Sequence, residues 1–258
     1  MNLCKSLKID LTRAFQNKWF PAGILLTAAV LAANLPWENM PDPSVLYLVS
    51  LIAWGSYTQM ICICGVIPFG TAYLAEREHQ YIRYLVFRSD IKSYLRSKVI
   101  VTVFSGFATV FLGKLLLAGT ARLFCPTVSR WEWYDPAEKG IDCLKALCPW
   151  GYVLADAFLY ALAGAAFALM ALLVSAVTRN VFVTVMSPMV LYFAISSVEQ
   201  WFHVPQWMDI IALQRGYIAI YADSVLFTLA HITVMWAAVM FLTGMIFVRY
   251  GERRFQNE

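Results

Sequence analysis

The sequence has few charged residues for its length. Asp, Glu, Lys and Arg make up 14% of its 258 residues, whereas hydrophobic residues make up 60%. A soluble domain of ordinary composition is about a quarter charged and about half apolar. So few charges do not cover a water-facing surface of this size, which argues against a soluble enzyme, a nucleic-acid-binding domain and a disordered chain. We therefore expect a membrane protein.

The sequence also lacks the motifs of common enzyme and nucleotide-binding sites. It contains no G-x-x-x-x-G-K-[ST] phosphate-binding loop, no G-x-S-x-G nucleophile motif and no H-E-x-x-H zinc motif. The three histidines, His79, His203 and His231, fall in separate segments, and we interpret His231 as a polar packing residue. We therefore expect this chain to bind no nucleotide, cofactor or metal ion by itself.

Long hydrophobic runs dominate the sequence. About 20 apolar residues of helix cross a hydrocarbon core of about 30 Å, because a helix rises about 1.5 Å per residue. Six stretches meet or approach this length: 20–35, 45–75, 99–121, 151–177, 181–198 and 225–248. Residues 45–75 are too many for one straight crossing, and Pro68 between Gly65 and Gly70 predicts a kink there. The pattern predicts one all-α domain over 1–258, a polytopic membrane protein with six transmembrane helices.

The positive charges predict that both termini are cytoplasmic. In this orientation 14 of the 20 Lys and Arg residues lie inside and five outside, as expected when cytoplasmic loops are enriched in positive charge. Residues 2–18 then predict an amphipathic interfacial helix, because their apolar side chains share one face. These side chains are Leu3, Leu7, Leu11, Ala14 and Phe15. A solvated lead-in and a cleaved signal peptide are the alternatives for this segment.

The largest predicted cytoplasmic segment is 76–98, in which nine of 23 residues are charged. Apolar side chains at helical spacing predict two short amphipathic helices within it. Their apolar faces are Ile82, Leu85 and Val86, and then Ile91, Tyr94 and Leu95. Between the two faces, Ser89 is a favourable N-cap and Asp90 suits the positive end of the second helix. The pattern predicts a rigid element along the membrane surface; the alternative is simple anchoring by positive charge.

The same segment carries a resemblance to a known family. The matching residues are Tyr81-Ile82-Arg83-Tyr84, Arg88-Ser89, Tyr94 and Ser97-Lys98. Placed between a long second span and a third span, they resemble the six-helix permease subunits of bacterial ABC exporters. The carboxyl end fits the family at Gly244, Phe247 and Arg253-Arg254. The sequence departs from the family at His79-Gln80 and at Asp90, so we expect the bend to be built differently here.

The resemblance implies a transport function. Residues 76–98 would form the coupling segment that binds a separate ATP-hydrolysing subunit. The implied contact residues are Tyr81, Arg83, Tyr84, Arg88, Ser89 and Asp90. That subunit would bind ATP and Mg²⁺, and a second permease, identical or paralogous, would complete an export path across the bacterial cytoplasmic membrane. A polytopic membrane enzyme or accessory factor without an ATPase, or a secondary transporter, is the alternative.

Two charged residues are predicted to lie within the membrane. Lys114 in the third span and Asp156 in the fourth each lie roughly 9–10 Å inside the outer boundary, counted at about 1.5 Å per residue. Adjacent antiparallel spans therefore allow them to pair. Intramembrane charges suggest a functional site, and a structural ion pair or a lysine that reaches outward to the interface is the alternative.

The outer side holds two further segments of interest. The loop 122–150 contains Cys125, Cys143 and Cys148, which allow one disulfide with an odd thiol, or none. The aromatic segment 199–224 predicts either re-entrant helices in the outer leaflet or a loop that lies flat at the interface. The sequence leaves both choices open.

Overall fold

The chain folds into helices joined by turns. The computed structural model describes residues 3–35, 43–52, 58–78, 91–129, 140–202, 204–205, 207–216 and 224–257, and within these ranges no strand occurs. The α-helices are α1 (Leu3–Phe15), α2 (Trp19–Ala32), α3 (Val45–Ile52), α4 (Ile61–Cys64), α5 (Ala72–Glu78), α6 (Ile91–Phe124), α7 (Leu144–Leu147), α8 (Pro149–Val177), α9 (Val181–Phe202), α10 (Ile210–Arg215) and α11 (Val225–Asn257). The all-helical fold class is confirmed for this part of the chain.

Within the described residues, four helices are long and apolar enough to cross a membrane. They are Ile91–Phe124, Pro149–Val177, Val181–Glu199 and Val225–Arg254. They contain the predicted third to sixth spans, and they make the chain a multi-pass membrane protein. The predicted first span corresponds to the 14-residue α2, and the predicted second span is divided among α3, α4 and α5. The count of six spans and the orientation stay predictions.

Helix α8 is the centre of the bundle. Of its apolar window, 78% is buried inside the protein, against 17% for α9 and for α11. The helix is buried because it is rich in small residues that let its neighbours approach closely. A Cβ atom on Gly65 would lie 2.8 Å from the carbonyl oxygen of Gly164 in α8, and one on Gly164 would lie 2.6 Å from Val110 Cγ2 in α6. Gly113 and Gly244 also lie at close contacts, with Thr27 and Val99, whereas Gly119 faces open space.

The helix of the second apolar stretch is interrupted around Pro68, where the sequence predicts a kink. Helix α4 ends at Cys64, residues 65–71 form turns, and α5 begins at Ala72. Proline lacks a backbone donor, so a continuous helix through this stretch would lose a hydrogen bond. The break directs α5 toward the end of the bundle that also holds α1, the first turns of α6 and the last turns of α11. We call this the termini end.

Helices α1 and α2 run alongside α6 in the same direction. The paired positions are Asp10 with Lys98, Ala14 with Val101, Gly23 with Thr109, and Thr27 with Gly113. The predicted helix over 2–18 is present, and its apolar residues Leu7, Leu11 and Ala14 pack against the bundle near Phe69. With 34 residues, α6 is about 50 Å long, so it extends beyond a 30 Å hydrocarbon core. Helix α1 covers part of this extension.

The prediction of a separate second short helix with Ile91, Tyr94 and Leu95 as its apolar face is wrong. The structure shows one uninterrupted helix from Ile91 to Phe124. Tyr94 and Leu95 are buried as predicted, but they lie on the same helix as the membrane-spanning residues. No proline separates the two parts, so nothing in the sequence ends the first turns of the helix. The predicted bend at Arg88-Ser89-Asp90 lies outside the described residues.

At the opposite end the chain folds back onto the bundle after α9. Asp209 caps α10, since its Oδ1 accepts hydrogen bonds from the backbone N–H groups of Ile211 at 2.7 Å and Ala212 at 3.4 Å. Gly216 ends the helix with a φ of 69°, where a Cβ would lie 2.7 Å from Leu159 of α8. Leu159 lies ten residues into α8, about 15 Å along that helix. This position favours the re-entrant alternative for the described part of 199–224.

Candidate functional site

A buried group of charged and hydroxyl side chains joins three helices at the termini end. Lys98 Nζ of α6 lies 2.8 Å from Asp10 Oδ1 of α1 and 2.7 Å from Glu76 Oε1 of α5. Arg13 Nη1 donates a hydrogen bond of 2.6 Å to the same Glu76 oxygen. Ser97 donates to Asp10 Oδ2 at 2.6 Å, and the Tyr94 hydroxyl donates to Glu76. We call this set the charge cluster: Asp10, Arg13, Glu76, Tyr94, Ser97 and Lys98.

The charge cluster is balanced in charge and largely excluded from solvent. The Lys98 side chain is 0% exposed, Glu76 is 5% and Asp10 is 6% exposed, whereas Arg13 is 52% exposed. Two carboxylates therefore face two cations. Burial of an ion is tolerated only when it is paired and hydrogen-bonded. Each member consequently depends on the others, and the three helices are fixed relative to one another.

One residue of the sequence, Asp10, already indicates that this cluster is present. Asp10 is the only acidic residue of α1, and it lies on the buried face of the helix with Ser6 and Ala14. Burying a carboxylate on the face of a helix that packs against its neighbours is unfavourable unless it is paired with a positive charge. Arg13, Glu76 and Lys98 lie in segments predicted to be cytoplasmic, and Lys98 also belongs to the residues of the resemblance, but neither pattern indicates that they pair. Pairing between residues 88 positions apart is not visible in a local pattern.

The predicted coupling residues lie outside the described residues. Tyr81, Arg83, Tyr84, Arg88, Ser89 and Asp90 all fall within 79–90. The residues on both sides of this segment are described. Glu76 precedes it in α5, and Tyr94, Ser97 and Lys98 follow it in α6. The charge cluster therefore binds together the two ends from which 79–90 departs.

A second set of contacts attaches the same region to α8. Arg254 of α11 donates to the carbonyl oxygen of Ala176 at 2.7 Å. Arg77, next to Glu76, donates to Ala176 O at 3.2 Å and to Thr178 O at 3.5 Å. The last carbonyls of a helix lack partners within it, and positive charge there is favoured by the helix dipole. Helix α5, which precedes 79–90, is thus joined to α1, α6 and α8.

Removing either arginine from the end of α8 should weaken the fold modestly. We expect Arg77→Met and Arg254→Met each to lower the free energy of unfolding by about 1 kcal/mol, because each removes one of the two charged donors to the last carbonyls of α8. Unfolding followed by tryptophan fluorescence of the purified chain measures this. The exposed Arg253→Met is the matched control and should change stability little. Equal losses in all three variants would contradict the capping role.

The structure brings the two predicted intramembrane charges together. Lys114 of α6 forms an ion pair with Asp156 Oδ2 of α8, and the two residues are 5% and 2% exposed. The lysine Nζ also lies 3.4 Å from the centre of the Tyr160 ring. The ion pair forms because α6 and α8 pack antiparallel, which places Lys114 and Asp156 at the same level of the bundle. Whether the pair acts in transport stays a prediction.

The predicted outer cysteines and histidine are described as well. Cys125, Cys143 and Cys148 are all described, Cys143 Sγ lies 3.3 Å from the carbonyl oxygen of Gly140, and a disulfide among the three stays a prediction. His231 Nε2 lies 3.2 Å from the carbonyl oxygen of Trp207, which attaches the turn before α10 to α11. Among the described residues, no group of three or more His, Cys, Asp or Glu is arranged to hold a metal ion.

Comparisons with known proteins give no relative: no family model, no curated protein and no solved structure matches this chain. Any function must therefore be inferred from the membrane fold, the charge cluster and the residues between its two halves.

Proposed function

We propose that this chain is the membrane-spanning permease subunit of a bacterial ABC exporter, driven by a separate ATPase subunit. The multi-pass helical fold supports a transport role, and the resemblance over 81–98 supports this particular class. The absence of a phosphate-binding loop from the sequence means that ATP and Mg²⁺ are bound by the partner. Both termini and 79–90 face the cytoplasm, and a second permease, identical or paralogous, forms the other half of the path.

One observation carries the proposal: the charge cluster attaches both ends of 79–90 to the bundle. A segment that transmits force from an ATPase must be joined rigidly to the helices it moves, because a loosely attached loop would change its own conformation without moving them. Glu76 in the helix before the segment and Lys98 in the helix after it are joined by an ion pair whose charged atoms lie 2.7 Å apart. A push on 79–90 is therefore passed to α1 and α6 through the cluster and to α8 through Arg77.

Helix α1 completes the cytoplasmic side in this proposal. Its buried face is bonded to α6 through Asp10, and its opposite face exposes Lys5, Lys8 and Ile9. Basic side chains beside apolar ones suit the headgroup region of an anionic leaflet. The helix thus rests at the membrane interface while remaining attached to the coupling segment.

Replacing the four predicted contact residues of 79–90 should abolish association with the ATPase. We expect a chain with Tyr81, Arg83, Tyr84 and Arg88 all changed to alanine to recover at least roughly tenfold less ATPase subunit in co-purification. The loss is large because aromatic and arginine side chains dominate most protein interfaces. Candidate ATPases are co-expressed one at a time with the tagged chain, and the bound amount is quantified.

The matched control changes the same number of charges elsewhere at the termini end. Arg249→Ala combined with Arg253→Ala removes two exposed arginines from α11 and should leave association unchanged. Both variants must elute as single species and unfold at the temperature of the unaltered chain. Undiminished association of the fourfold variant would refute the assignment of 79–90 as the coupling segment.

A further inference from the structure

Three buried residues form a line along one face of α8. Tyr152, Asp156 and Tyr160 are spaced four residues apart, so they lie one above the other on the helix. They are 4%, 2% and 1% exposed. We call them the tyrosine–aspartate row. A carboxylate between two electron-rich rings is an arrangement that attracts a positive group from either side.

Two lysine ammonium groups already lie on this row. Lys114 Nζ forms its ion pair with Asp156 and lies 3.4 Å from the Tyr160 ring centre. Lys145 Nζ lies 5.0 Å from the Tyr152 ring centre and 2.7 Å from Asp142 Oδ1. Each ammonium group thus contacts one carboxylate and one tyrosine ring. The two positions are eight residues apart on α8, about 12 Å.

Stability alone does not account for the inner pair. Two apolar side chains of similar volume usually stabilise a buried position as well as an ion pair does, because charges lose their hydration on burial. A lysine and an aspartate within a membrane-spanning bundle therefore point to function. The repetition of the same contact at Lys145, whose side chain is 12% exposed, places a second ammonium position nearer the surface.

We propose that the tyrosine–aspartate row binds the ammonium group of an amine ligand, and that Lys114 and Lys145 occupy it as tethered substitutes. The ligand reaches Tyr152 and Asp142 at the more accessible position and Asp156 and Tyr160 deeper in the bundle. A shift of α6 against α8 withdraws Lys114 and exposes the carboxylate and the ring to the ligand. That this ligand is the transported substrate rests on the proposed function; its binding does not.

Lys114→Ala provides the test, because it removes three carbons and the ammonium group. The vacated space matches n-propylammonium, which is added as its chloride to the purified full-length chain. The readout is the unfolding temperature against amine concentration, compared with sodium chloride at equal ionic strength. We expect a saturable rise for Lys114→Ala and none for Lys114→Met, whose side chain fills the space.

Further variants identify the groups that bind the amine. Adding Asp156→Asn to Lys114→Ala should abolish the rise, and n-propanol, which lacks the charge, should not produce one. Adding Tyr160→Leu should raise the half-saturating concentration roughly tenfold, whereas Tyr160→Phe should retain binding because the ring face is kept. A rise that persists without the carboxylate, or that n-propanol reproduces, overturns the proposal.

The accessible position keeps the test decisive if Lys114→Ala does not fold. Lys145→Ala should bind n-propylammonium in the same way, and adding Asp142→Asn should remove that binding. Absence of a saturable effect in every alanine variant that folds also overturns the proposal. These measurements use the chain without an ATPase, so their failure leaves the coupling function standing, and loss of ATPase association leaves amine binding standing.

Discussion

Replacing Lys98 with methionine is expected to lower the free energy of unfolding by about 3–5 kcal/mol, the usual loss when one partner of a buried ion pair is removed. Methionine fills much of the same space, so packing changes little. The ammonium group that lies between Asp10 and Glu76, at 2.8 and 2.7 Å, is lost. Glu76 then keeps the half-exposed Arg13 as its cation, whereas Asp10 keeps only the hydrogen bond from the Ser97 hydroxyl. The yield of monodisperse protein and its unfolding by tryptophan fluorescence measure the loss.

Two comparisons separate this loss from a general effect of removing a lysine. Lys92→Met removes a 59% exposed lysine that lies 3.8 Å from Glu252, and it should change stability by less than about 1 kcal/mol. Adding Asp10→Asn to Lys98→Met removes one unpaired carboxylate and should restore part of the stability. If Lys98→Met were as stable as Lys92→Met, or if Asp10→Asn restored nothing, the charge cluster would not hold the helices together.

Enlarging Gly164 should be comparably damaging. We expect Gly164→Leu to destabilise the chain by roughly 3 kcal/mol or more, because the new side chain must displace Val110 and with it part of α6. Its Cβ alone would lie 2.6 Å from Val110 Cγ2 and 3.2 Å from Val110 Cβ. Gly164→Ala should be intermediate. Size-exclusion profiles and unfolding temperatures of the detergent-solubilised variants give the result.

Gly119→Leu is the control for that series. Gly119 lies on α6 near its far end, and no atom would lie within 4 Å of an added Cβ. Leucine also favours helix more than glycine, so this variant should be as stable as the unaltered chain or slightly more stable. An equal loss of stability in Gly119→Leu and Gly164→Leu would mean that close packing around α8 is not the reason why Gly164→Leu is destabilising.

The sequence predicted the long helices well, because apolar runs of sufficient length leave little choice. The third to sixth predicted spans all fall within single helices, although α6 and α11 extend further at the termini end. The first two runs were harder to interpret. Run length does not show that α2 has only 14 residues or that the second run is divided into three helices. Of these features, the local sequence predicted only a kink at Pro68.

The candidate sites differ in how far the sequence revealed them. Residue counts from the ends of two antiparallel helices place Lys114 and Asp156 at one depth, so the sequence already allowed them to pair. The charge cluster was missed, since Asp10, Glu76 and Lys98 come together only when α1 lies along α6. The second short helix predicted on the face of Ile91, Tyr94 and Leu95 is, for a related reason, not a separate helix. Its buried face continues into that of the membrane-spanning part without interruption.

The role as a permease subunit is tested most directly by ATP hydrolysis in the complex that co-purifies with the tagged chain from its native membrane. We expect the complex of the unaltered chain to hydrolyse ATP. Hydrolysis should disappear when Tyr81, Arg83, Tyr84 and Arg88 are all alanine, and it should persist in the double alanine variant at Arg249 and Arg253. Full hydrolysis with the fourfold variant, or an unaltered chain that purifies without any ATP-hydrolysing subunit, would contradict the proposed function.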